Sequence, residues 1–269
     1  MEREVVSLLC DPDSRFSFEL VGNNLRNTVT RRTYPIYDGI PLFVSTVSGP
    51  NLRRQILYNM FAPVYDLAQL LSRSIFCRPD CRREYLSELE IQPGARVLEV
   101  AVGTGANLRH LPQDIDLYGV DISWGMLRRC QHNLERWRLR AHLFHSVAER
   151  LPFSRDVFDC VFHVGGINHF TDKTHAIREM IWVAKPGAKI VIVDRAEKKV
   201  RMDYQRNPAT RQFIDPGTNA VDCLLNLIPN EMQEIKAKEI CHGKLFCLTF
   251  RKPGAPQIVD HQSGSHNAI

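Results

Sequence analysis

The stretch that decides the fold is VLEVAVGTGAN at residues 97–107, followed by YGVDI at residues 118–122. It predicts a β-strand, a turn of small residues that opens a helix, and a second β-strand that ends in an acid. Little side-chain bulk at the turn lets the backbone approach a ligand, and a carboxylate at the end of the next strand can accept hydrogen bonds from both ribose hydroxyls. The pattern therefore predicts a binding site for a nucleoside cofactor.

The acid in the first strand, Glu99, separates two kinds of cofactor. The pattern Glu-x-Ala-x-Gly-x-Gly differs from Gly-x-Gly-x-x-Gly, in which a helix N-terminus holds the pyrophosphate of a dinucleotide. A carboxylate at this position meets a phosphate unfavourably, whereas it can pair with an ammonium group. The sequence therefore favours a nucleoside that carries an amino group.

Strand-like and helical stretches alternate around this motif. The predicted strands are 96–102, 116–122, 141–147, 158–164 and 189–194, and the predicted helices are 107–111, 124–137 and 172–184. A hairpin of residues 235–241 and 245–251 ends the series. The alternation predicts an α/β fold with a doubly wound, mostly parallel, seven-stranded sheet that ends in an antiparallel hairpin.

These motifs resemble those of class I S-adenosylmethionine (SAM) methyltransferases, and the resemblance covers residues 97–252. Besides the first motif, AERLPF at 148–153 is similar to the family's adenine loop, FDCVF at 158–162 to its fourth strand, and KPGA at 185–188 to the turn before its fifth strand. The resemblance implies SAM as the cofactor and S-adenosylhomocysteine (SAH) as the product.

The resemblance also implies which residues bind SAM. Glu99 would hold the amino group, and Asp121 the ribose hydroxyls. The residues implied around the methionine part, the adenine and the methyl group are Ala101, Gly103, Gly105, Ile122, Met126, Ala148, Glu149, His163 and Val164. Val147 replaces the family's adenine-binding aspartate, so that contact passes to Glu149 or to the backbone of Ala148. We expect Ala101 to be tolerated because alanine costs little at negative φ.

Residues 49–93 are predicted to form a helical cap. The run YNMFAPVYD at 58–66 resembles the cap of the ubiquinone/menaquinone C-methyltransferase-like branch, which implies that Tyr58 and Tyr65 close over SAM and exclude water. Packing is the alternative role for each tyrosine. The SAM-binding domain spans 94–252, with a substrate lid at about 196–230, and residues 253–269 are predicted to be a disordered tail.

Residues 1–48 are predicted to form a small β-rich extension. They resemble the zinc-ribbon domain of the tRNA-methyltransferase activator family but lack its metal cysteines. Cys10 stands at one expected ligand position and Asp13 at the position of its partner. One thiol cannot hold tetrahedral zinc, so we expect no metal here.

Catalytic candidates lie in HVGGINHF at residues 163–170, the loop that follows the fourth strand. His169 is the best general base by chemistry, since histidine titrates near neutral pH. Bonding to the loop backbone or to Asp172 is its alternative role. Asn168, His169 and Tyr204 are the candidates for contact with the substrate.

The whole composition fits a globular enzyme in the cytosol. The net charge is +5, no apolar run reaches the length of a membrane span, and no signal peptide precedes the first motif. The eight cysteines form no Cys-x-x-Cys pair, so we expect reduced thiols and no metal site. Arginines at 128–140 are predicted to form a solvated helix face, not a nucleic-acid surface.

The sequence therefore predicts a SAM-dependent methyltransferase that acts on carbon, oxygen, nitrogen or sulfur of a small molecule, with an aromatic or lipid-like acceptor favoured by apolar residues of the lid. One alternative is methylation of tRNA or protein. The other is a non-catalytic scaffold, against which the two acids Glu99 and Asp121 argue. The sequence does not determine the acceptor or the oligomeric state.

Overall fold

The structure, a computed structural model, describes residues 1–44, 59, 62, 79–196 and 224–254. Its helices and strands, in chain order, are α1 (Arg3–Ser7), β1 (Phe18–Val21), β2 (Asn24–Asn27), β3 (Thr33–Tyr37), β4 (Ile40–Pro41), α2 (Pro79–Ser87), β5 (Arg96–Val100), β6 (Asp116–Asp121), α3 (Trp124–Trp137), β7 (His142–His145), β8 (Phe158–Val164), α4 (Lys173–Val183), β9 (Ala184–Arg195), β10 (Gln233–Ile240) and β11 (Leu245–Arg251). None of these helices is long and apolar enough to cross a bilayer.

The large sheet has seven strands in the order β10-β11-β9-β8-β5-β6-β7. Strands β5 to β9 are parallel, and β11 and β10 continue the sheet in antiparallel fashion. The predicted doubly wound sheet with a terminal hairpin is thereby confirmed. The chain runs from β5 to β7 on one side and then from β8 to β9 on the other, which places the reversal of strand order between β5 and β8. Ligands bind in such folds at the carboxyl ends of strands near this reversal.

Apolar side chains of alternating strand residues form two layers, one on each face of the sheet. Leu98 and Val100 belong to the face covered by α4 and the N-terminal strands, whereas Val97 belongs to the face covered by α2 and α3. Helix α3 begins where Ser123 accepts a hydrogen bond from the backbone of Met126 at 3.2 Å. Its observed bounds agree with the predicted ones.

Two predicted elements differ in the structure. The helix expected at 107–111 is a single 3-10 turn, Leu108–His110, because Pro112 follows and cannot continue a helix. The turn at the first motif therefore lacks the long helix that binds a pyrophosphate in dinucleotide folds. The N-terminus contains the helix α1, which at five residues is too short to show a helical period in the sequence.

Strands β1 to β4 form a separate antiparallel sheet, here called the N-terminal sheet, that docks on the edge strand β7. Leu42 bridges to His145 in parallel fashion, and the Phe43 amide donates to the His145 carbonyl at 2.9 Å. The buried rings of Phe18, Tyr34 and Phe43 contact one another and share an apolar cluster with the large sheet. The N-terminal sheet thereby covers a strand edge that would otherwise expose backbone donors and acceptors.

Two turns of the same pattern hold the N-terminal sheet together. Asp11 Oδ1 accepts hydrogen bonds from the amides two and three residues later, and Asn27 Oδ1 does the same. In each turn the fifth residue, Arg15 or Arg31, is in the left-handed region and donates its amide to the first carbonyl. Side chains of the two turns then bond to each other, because Asn27 Nδ2 donates to Asp11 Oδ2 at 3.0 Å and to Ser14 Oγ at 2.9 Å.

The two turns also share a sequence spacing. The pairs Asp11-x-x-Ser14 and Asn27-x-x-Thr30 have the spacing of Cys-x-x-Cys pairs. The resemblance of residues 1–48 to a zinc ribbon, with Cys10 and Asp13 at ligand positions, stays a prediction. The Cys10 thiol donates to the Phe153 carbonyl at 3.0 Å. Within the described residues, no group of three or more His, Cys, Asp or Glu side chains is arranged to hold a metal ion.

The cysteines depart from the expected pattern in one pair. Cys81 of α2 and Cys241, just after β10, form a disulfide across 160 residues of sequence. The expectation of thiols only is therefore wrong for this pair, which lies too far apart in sequence for spacing to indicate it. Cys160 and Cys247 are free and buried, as predicted, and burial raises the pKa of each thiol to about 12.

Candidate functional site

Glu99 and Asp121 lie on the same face of neighbouring strands at the reversal of strand order. Glu99 is paired in register with Gly119, so Asp121 stands two residues further toward the carboxyl end of the sheet. Both carboxyl groups are buried, at 1% and 8% exposure. Burying an acid without a partner is costly, so the pair is a candidate for a ligand site.

The Asp121 carboxyl group is fixed by two backbone amides. The Gly103 amide donates to Oδ2 at 2.8 Å, and the Ser123 amide donates to Oδ1 at 2.8 Å. Burial raises the pKa of Asp121 to about 6, although these amides act in the opposite direction. The carboxyl group thus stands between the glycine turn and the start of α3, where the predicted ribose would lie.

The Glu99 carboxyl group has one oxygen bonded and one oxygen without a partner. Asn107 Nδ2 donates to Oε1 at 2.7 Å, whereas Oε2 is buried and has no hydrogen-bond partner in the described part of the chain. Burial raises the pKa of Glu99 to about 8. A buried carboxylate oxygen without a donor fits the cationic amino group of SAM, since such a group supplies both the charge and the hydrogen bond.

The turn between these acids is tight and strained at its first residue. Ala101 has φ +60°, which is the left-handed region, so the condition under which alanine would cost little, a negative φ, is not met. An L-residue there costs about 1–2 kcal/mol. Gly103 and Gly105 also have positive φ, and a Cβ atom on Gly105 would lie 2.7 Å from the Cys130 sulfur of α3. Glycine at 105 therefore lets α3 pack directly against the turn.

The predicted adenine side combines apolar and backbone groups. Ile122, just after β6, is half-buried. Met126 in α3 and Ala148 in the loop after β7 are buried. Glu149 Oε1 accepts hydrogen bonds from the amides of Thr171 and Asp172 at 2.8 and 3.3 Å. This oxygen therefore secures the segment before α4.

His163 lies on the opposite face of the sheet from Glu99. Its Nδ1 is 2.8 Å from the Val100 carbonyl, which can only accept, so Nδ1 carries the hydrogen and ties β8 to β5. Burial lowers the pKa of His163, and its ring packs against Phe170. The side chain is wholly buried, whereas Val164, the next residue, is partly exposed at the end of β8. Cofactor binding by these two residues remains a prediction.

The loop after β8 carries the catalytic candidate. His169 ends the 3-10 turn Ile167–His169 and is half-buried, and Asn168 beside it is exposed. Asp194, at the end of β9, accepts hydrogen bonds on Oδ2 from the amides of Gly166 and Ile167 at 3.1 and 2.9 Å. The buried Asp194 thereby fixes the loop that presents His169.

One residue of the predicted cap touches the nucleoside side of the site. Asn59 Oδ1 accepts hydrogen bonds from Ser123 Oγ at 2.7 Å and from the Gly125 amide at 2.8 Å. A Cβ atom on Gly125 would lie 2.9 Å from Asn59 Cα, so this glycine permits the contact. The cap tyrosines Tyr58 and Tyr65, and the substrate candidate Tyr204, lie outside the described residues.

Several polar residues of the site were not selected from the sequence. Asn107, Arg82, Tyr85, Asp194 and Asn59 all reach the site through tertiary contacts. The signal for Asp194 was present, since it ends a predicted strand of the parallel sheet on the same edge as Asp121. Asn107 closes the first motif itself. The two residues that donate to its Oδ1, Arg82 and Tyr85, come from α2, and no local pattern indicates them.

The seven-stranded sheet described above has the class I methyltransferase fold. Residues 97–187 match the family model of a methyltransferase domain. In the structure of the complex between the Haloferax volcanii Trm112 methyltransferase activator and a methyltransferase, one chain has a TM-score of 0.58 at 14% identity, which covers 73% of this chain and 97% of that one. The [4+2]-cyclase SpnF has a TM-score of 0.57 at 15% identity, over 75% and 96% of the two chains.

The curated relatives are quinone-biosynthesis methyltransferases by name. The chain is 31% identical over 170 residues to a ubiquinone/menaquinone biosynthesis C-methyltransferase of Geobacter sulfurreducens, which covers 61% of this chain and 65% of the relative. It is 30% identical over 121 residues to a demethylmenaquinone methyltransferase of Bacillus cereus, over 43% and 51%. This chain thus spans between about half and two thirds of these relatives. The family match and these relatives support a class I SAM methyltransferase domain, and the resemblance to the ubiquinone/menaquinone C-methyltransferase branch is confirmed.

Proposed function

We propose that the chain is a SAM-dependent methyltransferase that methylates a small molecule with a quinone-like ring. The observation that carries the proposal is the acid pair at the glycine turn: Asp121 between the turn and α3, and Glu99 with a buried oxygen that lacks a donor. A scaffold that binds no cofactor gains nothing from two buried acids, whose burial costs stability.

Binding of SAM divides among the described residues by chemistry. Asp121 would accept the ribose hydroxyls, and Glu99 would accept the amino group. Ile122 and Met126 offer apolar surface to the adenine, and the turn with Ala101, Gly103 and Gly105 leaves room for the methionine part. When bound, SAM supplies a methyl group on a sulfonium, which an in-line nucleophile can accept.

The acceptor is inferred from the relatives, whose names describe methylation of quinone precursors at carbon. A reduced quinone ring needs a base to remove a hydroxyl proton, which raises the electron density of the ring carbon that attacks. His169 is the residue we propose for this base, and Asp194 is the residue that holds its loop. Asn168, exposed next to His169, would contact the acceptor.

The flanking segments would complete the site. We assign residues 49–93 to a cap, supported by the contacts of Asn59 with Ser123 and Gly125, and residues 196–230 to a substrate lid. Leu224 and Ile228, at the end of that lid, are buried in the main apolar cluster. The proposal includes a cytosolic site of action and no nucleic-acid partner.

The fold alone leaves the reaction open, because a [4+2]-cyclase shares it. The test is methyl transfer from radiolabelled SAM to a reduced demethylmenaquinone with a short side chain. We expect product with the wild-type protein, at least a hundredfold less with Asp121→Ala, and a large loss of turnover with His169→Gln at unchanged SAH affinity. Labelling of bulk tRNA or protein in place of the quinol would instead establish the macromolecular alternative.

A control separates catalysis from cofactor binding. Calorimetry with SAH measures the cofactor site alone, without an acceptor. SAH binding without transfer to any acceptor would support a regulator and contradict the enzyme. If His169→Gln methylates the same acceptor as fast as the wild-type protein does, this histidine has no part in the mechanism, and the methyltransferase assignment stays intact.

A further inference from the structure

A chain of side chains leads from helix α2 to the free oxygen of Glu99. Tyr85 Oη donates to Asn107 Oδ1 at 2.8 Å, and Arg82 Nε donates to the same oxygen at 3.2 Å. Asn107 Nδ2 in turn donates to Glu99 Oε1 at 2.7 Å. Tyr85, Asn107 and Glu99 are all buried, so water does not substitute for these bonds at low cost.

The two donors on Asn107 Oδ1 decide the orientation of its amide. In the flipped orientation Nδ2 would face the guanidinium of Arg82, which can only donate, so donor would stand against donor. Nδ2 therefore points at Glu99, occupies Oε1 and leaves Oε2 available. The carboxyl group is thus held in one orientation by these hydrogen bonds.

Helix α2 is itself fixed by contacts on the side of the terminal hairpin. Cys81 is bonded to Cys241, Glu84 Oε2 accepts the Cys241 amide at 2.9 Å, and Glu88 pairs with Lys238 at 2.7 Å. These contacts fix the helix that places Arg82 and Tyr85 against Asn107. The orientation of Glu99 consequently depends on a helix that lies outside the segment matched by the methyltransferase family model.

We propose that Arg82, Tyr85 and Asn107 are positioning residues that aim Glu99 Oε2 at the ammonium group of the SAM amino-acid tail. Helix α2 thereby sets the affinity for the tail. When the tail binds, it displaces a proton from Glu99. This inference rests on the proposed function, since it assumes that the site binds SAM. It extends that function to a residue set acting through Glu99.

Charges around Glu99 support the proton exchange. Burial raises the pKa of Glu99 to about 8, Asn107 and Arg82 lower it, and the nearby Asp121 raises it. In the ligand-free protein at pH 7 the carboxyl group is therefore largely protonated. An arriving ammonium group favours the carboxylate, and the proton leaves to solvent. Affinity for a ligand with the tail should thus rise between pH 6 and pH 8.

The experiment compares SAH with 5′-methylthioadenosine, which has the same nucleoside and thioether but no amino-acid end. Calorimetry at pH 7 in two buffers of different ionisation enthalpy counts the protons released. We expect release of nearly one more proton with SAH than with methylthioadenosine. Equal release with the two ligands overturns the inference.

Variants test the positioning residues through the ratio of the two affinities. Tyr85→Phe should weaken SAH about fivefold, and Asn107→Leu about tenfold or more, while methylthioadenosine binds as before. Tyr118→Phe is the matched control, because Tyr118 is a buried tyrosine on the opposite face of the sheet. It should leave the ratio unchanged.

The outcomes separate this inference from the proposed function. Equal weakening of both ligands by Tyr85→Phe and Asn107→Leu indicates a merely structural role and overturns the inference, with the cofactor assignment intact. Failure of both ligands to bind the wild-type protein overturns the cofactor assignment and the inference together. If Asn107→Leu does not fold, the proton count of the wild-type protein and the conservative Tyr85→Phe still decide the question.

Discussion

Two buried carboxyl groups, Asp11 in the N-terminal sheet and Glu99 at the glycine turn, have similar neighbours and pKa values shifted in opposite directions. Each accepts a hydrogen bond from an asparagine amide and has a tyrosine close by. The asparagine and tyrosine are Asn27 and Tyr34 for the first acid, and Asn107 and Tyr85 for the second. The difference between the two acids lies in where the tyrosine hydroxyl donates.

Tyr34 donates directly to Asp11, whereas Tyr85 donates to the asparagine and not to Glu99. Asp11 accepts four hydrogen bonds, from two amides, Asn27 and Tyr34, and its pKa is lowered although it is buried. Among the described residues Glu99 accepts one, and its pKa is raised. A saturated acid holds a fold together, and an unsaturated one is suited to a ligand.

The largest loss of stability is expected from removal of the saturated acid. Asp11→Ala leaves four donors without their acceptor, and we expect a loss of about 3 kcal/mol or more in the free energy of unfolding. Urea denaturation measures it. Asp13→Ala is the control, since Asp13 pairs with Arg32 and Arg150 only at the surface and should cost less than about 1 kcal/mol. Similar losses in both variants would contradict the comparison.

Removal of the unsaturated acid should instead stabilise the ligand-free protein at high pH. Glu99 has a folded pKa of about 8 against an ordinary value of 4.5, so between these values the folded state holds a proton that the unfolded state lacks. The stability contribution of Glu99 is complete below about pH 4.5 and falls as pH rises toward 8. Glu99→Gln removes this decline, so its stability relative to wild type should rise by up to about 1.4 kcal/mol per pH unit in this window.

Asp121 supplies the internal check for that measurement. Its folded pKa is about 6 against an ordinary value of 3.8, so the corresponding rise for Asp121→Asn should occur between about pH 4 and pH 6 and level off above. Chemical denaturation across pH 4 to 8 compares both variants with wild type. Identical pH windows for the two variants would show that the two acids are not distinguished by their surroundings.

The smallest effect on stability is expected from backbone strain at the glycine turn. Ala101→Gly should stabilise the protein by about 1 kcal/mol, because glycine has no penalty at φ +60°. Ala106→Gly, five residues on and outside the left-handed region, should destabilise it by a similar amount. Thermal or urea unfolding gives both values. A loss with Ala101→Gly would show that the methyl group packs well enough to outweigh the strain.

Much of the fold was predictable from local sequence pattern. The bounds of α3 and β8 agree with the predicted 124–137 and 158–164, because apolar periodicity and the Ser123 cap are local signals. The two acids of the site follow in the same way from strand ends. In the N-terminal sheet the sequence drew attention to Cys10, whereas the two turns depend on Asp11 and Asn27.

What the sequence did not indicate are the contacts that tune the acids. Tyr85 lies 22 residues before Asn107, and Asp194 lies 28 residues after Gly166. Such pairs depend on which face of a helix or strand a side chain occupies after packing. The left-handed φ of Ala101 was also hidden, because an alanine at a glycine position gives no sign of strain until the backbone is seen.

The docking of the N-terminal sheet has a consequence for how the chain is made. Its contacts with the large sheet span very long stretches of sequence: 143 residues from Cys10 to Phe153, and 164 from Arg15 to Glu179. At ribosomal rates of about 5–20 residues per second, Cys10 and Arg15 wait roughly 10–30 s for these partners to emerge. The nascent chain therefore carries the rings of Phe18, Tyr34 and Phe43 without their final covering, and the edge of the large sheet is closed by a segment that was synthesised before it.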